Sequence, residues 1–173
     1  MGAVVVYESM YGNTFEVATA VADGIRQVMP VDVVEVGHVP PAEELDPVDL
    51  LVVGAPTHAF GLSRPSTRQD AARRSGRSVM SPERGVREWL DDAWPLTVPS
   101  AAFDTHTVKP NLPGHAGKAI DRRLHSLGCR PVAKYESFQV NGYEGPLCDG
   151  ERDRARAWGT HVAGLAVEVG VRT

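Results

Sequence analysis

Val4-Val5-Val6-Tyr7-Glu8-Ser9-Met10-Tyr11-Gly12-Asn13-Thr14 runs from a β-branched stretch through a turn into the start of a helix. Three adjacent valines without a polar interruption read as a strand buried on both faces, the pattern of parallel sheets. From Phe15, apolar residues recur at helical spacing through Ala18, Val21, Ala22, Ile25, Val28 and Met29. Asn13 or Thr14 is placed to cap this helix and Pro30 to stop it. The turn between carries two hydroxyls, a glycine and an asparagine, and such a turn aims several backbone N–H groups at one point. The helix dipole favours an anion there. The Walker lysine is missing, which argues against a magnesium nucleoside triphosphate, and so is Gly-x-Gly-x-x-Gly, so the dinucleotide fingerprint fails. What remains is a phosphate held by amides and hydroxyls without a cation.

Outward from this unit the alternation continues. Val31 to Val36 reads as a second strand and Val48 to Gly54 as a buried third. Gly61 to Pro82 is rich in Ser, Arg, Gly, Gln and Asp with no strong period, and is expected to be a long excursion, mobile over about 62–82. Helical spacing returns over Gly85 to Trp94. A small-residue strand covers Val98 to Phe103, a helix about 115–127, a strand Val132 to Val140, and a last helix runs from Asp149 to about Val169. Five strands alternating with helices predict one α/β domain over 1–173, doubly wound in three αβα layers. In such sheets ligands bind beyond the carboxyl ends of the strands, here the loops after Tyr7, Gly54, Phe103 and Val140.

Composition narrows the classes further. The chain has 173 residues, 42% hydrophobic and 23% charged, enough for a single core without a covalent staple. Two cysteines, Cys129 and Cys148, do not make a disulfide framework, and no Cys/His cluster has zinc spacing. No apolar run approaches the ~20 residues of a membrane span. A cytoplasmic domain is the expectation, with no membrane and no metal. Residues 1–60 hold nine acidic side chains against one basic, a net −8, whereas 61–173 hold 17 basic against 13 acidic, a net +4. Seven of the arginines fall between Arg64 and Arg87 without interleaved aromatics, which is not a nucleic-acid pattern.

Two motifs carry a resemblance. Ser9-Met10-Tyr11-Gly12-Asn13-Thr14 resembles the Ser/Thr-x-Thr-Gly-Asn-Thr loop of the flavodoxin-like flavoproteins, with Tyr11 in place of the middle Thr. Gly54-Ala55-Pro56-Thr57-His58 resembles their Gly-x-Pro-Thr-aromatic second loop, with His58 where Trp or Tyr is common. The resemblance implies a five-stranded parallel sheet of order 2-1-3-4-5 and FMN as cofactor. It implies that Ser9, Met10, Tyr11, Gly12, Asn13 and Thr14 hold the phosphate. Pro56, Thr57, His58, Ala59, Phe60 and Gly61 would lie along one side of the flavin ring, with Phe60 able to stack where His58 does not. Phe103, Asp104, Thr105 and His106 would form a third loop on the other side, near the pyrimidine edge.

The function this implies is electron transfer by bound FMN, as a redox carrier or as a flavin-dependent reductase of the NAD(P)H:quinone type. The cofactor supplies the chemistry, so no catalytic side chain is assigned. The reducing partner would be a redox protein or NAD(P)H, and the Arg64–Arg87 cluster could receive either. Against this stands a flavodoxin-like module that binds a partner and has lost FMN, a reading favoured by Tyr11 and His58. A receiver domain is rejected, because the third strand ends Val53-Gly54-Ala55 without the phosphorylatable aspartate. The oligomeric state is open.

Overall fold

The computed structural model describes residues 2–45 and 48–171. The strands are β1 (Ala3–Tyr7), β2 (Val31–Glu35), β3 (Leu50–Pro56), β4 (Pro99–Thr107), β5 (Arg130–Pro131) and β6 (Glu136–Val140). Every pairing is parallel, in the order β2-β1-β3-β4, with β5 and β6 both on the outer edge of β4. The expected 2-1-3-4-5 order is therefore present, with the fifth strand divided. Ser100 faces Pro131 and Phe103 faces Glu136, so three steps along β4 correspond to five on the outer strand. The two surplus residues bulge out, which breaks the strand that the sequence places over Val132 to Val140.

Alternation along the strands divides the core into two layers. Val5, Val52 and Phe103 face α1 (Asn13–Ile25) and α5 (Glu151–Val171), where Val17, Val21, Trp158 and Val162 cover them. Val6, Val53 and Ala102 face the other way, against α3 (Val86–Asp91) and α4 (Ala116–Ser126) through Trp89, Leu90, Ile120 and Leu124. Both faces are covered, which is why these strands are apolar without interruption. Trp94, the last residue of the stretch expected to be helical, lies past the end of α3 and is 65% exposed. Among the described residues no helix is long and apolar enough to cross a membrane.

Three local expectations are corrected. The start of α1 is not capped by Asn13 or Thr14. Instead Gly12 takes a left-handed φ of 95°, and the Ser9 hydroxyl reaches forward to accept from the N–H groups of Gly12 (3.1 Å) and Phe15 (3.4 Å). Second, β4 extends to Thr107. Phe103, Asp104, Thr105 and His106 are thus strand residues, paired with β6 and in part with β3, rather than a loop. Third, the polar stretch after Gly61 is not without regular structure, because it contains α2 (Pro65–Ser75). Pro65 stands at its first position, and Gly76 closes it at φ 64°, donating to the carbonyl of Ala72 at 3.1 Å. The helix shows no apolar period because the residues it buries are Arg68 and Ala71.

Candidate functional site

The carboxyl ends of β1, β3 and β4 open on a cavity of about 250 Å³. Its first wall is the turn after β1. Ser9 is fully buried and its backbone is strapped from outside: its N–H donates to the Ser81 hydroxyl at 3.1 Å, and its carbonyl accepts from the Ser81 N–H at 2.9 Å. The Met80 N–H donates to the carbonyl of Met10 at 3.1 Å. With the turn held in this way, the N–H groups of Met10, Tyr11, Asn13 and Thr14 have no acceptor among the described residues. They stand at the N-terminus of a 13-residue helix, where partial positive charge accumulates. Ser9, Met10, Tyr11, Asn13 and Thr14 line the cavity, and Gly12 does not.

The second wall is the turn after β3. Pro56, Thr57, His58 and Ala59 line the cavity, whereas Phe60 and Gly61 do not. His58 and Gly61 exchange two backbone hydrogen bonds (2.8 and 3.0 Å), and the Phe60 N–H donates to Pro113 at 3.1 Å. Ala59 is left as the residue of this turn with a free N–H among the described residues. Phe60 takes a left-handed φ of 67° and is 79% exposed. Burial, together with the cations Arg68 and Arg74, holds the His58 imidazole down at about 4. His58 is therefore a neutral wall at pH 7. Gly54 is required for a packing reason, since a Cβ there would meet the ring of Phe103 at 2.0 Å.

From β4, Thr105 and His106 line the cavity, and Phe103 and Asp104 do not. Phe103 points into the core, edge-on to Phe138 and Trp158 at 6.1 Å. Asp104 is fully buried on the α4 side, accepting from the Gly117 N–H at 2.8 Å and the Ser137 hydroxyl at 2.5 Å. The hydroxyls of Thr14 and Thr105 lie 2.8 Å apart, a bond that shares one proton and leaves the other hydroxyl hydrogen for a ligand. His115, just before α4, lines a separate cavity of about 260 Å³ and lies against His106 with the ring centroids 4.7 Å apart.

The sequence reading missed a whole wall. Thr67, Asp70, Ala71 and Arg74 of α2 line the cavity together with Thr107, Leu112, Val140 and Tyr143. Pro65 and Gly76 were the legible signal, a proline at a helix start and a glycine past its end. The presence of α2 also accounts for Tyr11, whose hydroxyl donates to the carbonyl of Ala71 at 2.9 Å and so ties the turn after β1 to the new wall. Among the described residues no group of His, Cys, Asp and Glu is arranged to hold a metal ion, and both cysteines are free.

Residues 5–76 match the family model described as Flavodoxin. No curated protein matches the sequence. Among solved structures, the chain resembles oxidised flavodoxin 1 of Bacillus cereus with a TM-score of 0.68 at 20% identity, covering 97% of this chain and 98% of that one. A flavodoxin from the domain Archaea gives 0.66 at 18% identity, covering 96% and 99%. The flavodiiron core of a Synechocystis protein gives 0.64 at 18% identity, covering 98% of this chain and 36% of that chain. Likeness at such identities speaks for the fold.

Proposed function

We propose that this chain, flavodoxin-like in its fold and in its match to the family model, binds FMN and passes electrons through it. The observation that carries the reading is the set of four N–H groups without acceptors, at Met10, Tyr11, Asn13 and Thr14, opening on a cavity at the ends of three parallel strands. That donor set suits a phosphate dianion, which accepts several hydrogen bonds and gains from a helix N-terminus. Met10, Ala59, Leu112 and Val140 supply apolar walls for a flat ring system. FMN, when bound, supplies the capacity to take up and release electrons.

The chain's own groups would bind and orient it. Ser9 holds the turn that presents the amides. Thr14 and Thr105 offer one hydroxyl hydrogen between them. The Ala59 N–H is the free donor of the second turn, available to a ring nitrogen. His58, neutral and half-buried, fills the family's aromatic position. Reduction by NAD(P)H would make the protein a reductase, and reduction by another protein would make it a carrier. Stopped-flow mixing with NADH and NADPH separates these.

Titration of the apoprotein with FMN and riboflavin, followed by flavin fluorescence, tests the reading. FMN is expected to bind at least tenfold more tightly, because riboflavin leaves the amide cradle unfilled. Equal affinities would reject the phosphate site. Absence of binding to either would favour the module that has lost its flavin.

A further inference from the structure

The seven arginines between Arg64 and Arg87 do not form one surface. Arg68 is buried beside Glu88 at 3.1 Å, Arg73 pairs with Asp70 at 3.7 Å, Arg77 with Glu144 at 3.3 Å and Arg84 with Asp92 at 3.0 Å. Arg87 donates to the carbonyls of Leu62 (2.8 Å) and Ser63 (2.9 Å). Arg64 precedes α2 and is not among the cavity residues. Arg74 alone of the seven lines the cavity, and among the described residues it has no carboxylate partner. Asp70 lines the same wall but faces Arg73.

What holds Arg74 is a ring. Its guanidinium carbon lies 4.0 Å from the centroid of Tyr143, another cavity residue. The loop bearing Tyr143 is tied to the first turn, since the Asn13 amide donates to the Glu144 carbonyl at 3.0 Å. Stacking uses the face of a guanidinium and leaves the N–H groups at its edge free for an acceptor. The charge is felt across the cavity. Burial is the larger influence at both neighbouring groups, pushing the His58 imidazole down and the Tyr11 phenol up; the Arg74 charge adds to the first shift and opposes the second. Among the described residues, a cation without a carboxylate partner and four amides without acceptors thus border one space, and both suit the same anion.

We propose that Arg74, pre-oriented on Tyr143, is a phosphate-binding residue that supplies a cation to the FMN phosphate beside the amides of the first loop. This rests on the FMN reading above and departs from the expectation of a phosphate held without a cation. It also gives α2 a purpose, since the helix carries the one charge that the turn itself lacks.

The test is the affinity of full-length Arg74→Gln and Tyr143→Leu apoproteins for FMN and for riboflavin, measured at several NaCl concentrations with inorganic phosphate as a competitor. Arg74 is exposed, so its loss leaves the core intact, and circular dichroism checks this. Losing a charged hydrogen bond predicts about a tenfold or greater weakening of FMN binding by Arg74→Gln at low salt. Riboflavin binding should be unchanged, competition by phosphate weaker and the salt dependence shallower than in wild type. Arg74→Lys should recover part of the loss, and Tyr143→Leu should give a smaller loss of the same kind. Equal weakening of FMN and riboflavin, or no change in either, overturns the proposal. Wild-type protein that binds neither flavin overturns the FMN reading beneath it.

Discussion

Glu8 and Arg68 share one hydroxyl: Ser63 Oγ donates to the Glu8 carboxylate and accepts from the Arg68 guanidinium at 2.9 Å. All three side chains are buried. The Val86 N–H donates to the other Glu8 oxygen at 2.8 Å, and Arg68 continues to the Glu83 carbonyl at 3.1 Å and to Glu88. One polar cluster therefore fastens the end of β1, the helix α2 that walls the cavity and the start of α3.

Removing the cation from this cluster should be costly. Arg68→Met takes the cation away from Glu88 and from buried Glu8, leaving Glu8 only the donors Ser63 and Val86, and removing one charge from a buried cluster of this kind costs about 3–5 kcal/mol. Urea unfolding of the variant is the measurement. Adding Glu8→Gln to Arg68→Met should recover part of the loss, because the stranded charge is then gone.

Burial pushes the Glu8 carboxyl above its ordinary 4.5, against the opposing pull of Ser63, Val86 and Arg68. The folded state then holds this proton more tightly than the unfolded chain. The contribution to stability is fully present below pH 4.5 and is lost as pH rises through the folded value. Glu8→Gln should remove this loss. Stability measured from pH 4 to 8 should shift in the variant's favour as pH increases, and a constant difference would show that Glu8 does not titrate differently on folding.

His58 gives the opposite slope. Its folded value near 4 lies below the ordinary 6.5, so its contribution is present above pH 6.5 and is lost as pH falls toward 4. Its ring resonances should stay at their neutral positions from pH 8 to pH 5.5 in an NMR titration. Arg74→Gln, which removes one nearby cation, should move the His58 midpoint upward.

Two glycines should invert the usual rule for helices. Glycine to alanine in a helix interior normally stabilises by about 1 kcal/mol. At Gly24 of α1 the new Cβ would sit 2.0 Å from the carbonyl oxygen of Arg156, and at Gly159 of α5 it would sit 2.1 Å from that of Val21. These are backbone atoms that cannot turn aside, so the helices must separate, and overpacking of this kind costs about 1–3 kcal/mol net. Gly164→Ala, with nothing within 4 Å of its Cβ, is the control and should be neutral or stabilising. Thermal unfolding of the three variants should split them by sign.

The features legible in the sequence were those whose causes are local. Val4-Val5-Val6 and Leu50-Leu51-Val52-Val53 declare strands buried on both faces, and the turns Ser9 to Thr14 and Gly54 to His58 announce themselves by residue types within a few positions. Tertiary structure decided the rest, because the causes lie far apart in the chain. The edge strand divides because two surplus residues must bulge between Ser100–Pro131 and Phe103–Glu136, a register that exists only once β4 is paired. Helix α2 conceals itself because the side chain it buries most deeply is a cation, Arg68, which is tolerable inside only with Glu8 and Glu88 folded against it. Arg74 looked like one charge among seven until the fold gave Arg68, Arg73, Arg77, Arg84 and Arg87 carbonyl or carboxylate partners and left Arg74 stacked on Tyr143, 69 residues away, at the wall of the cavity.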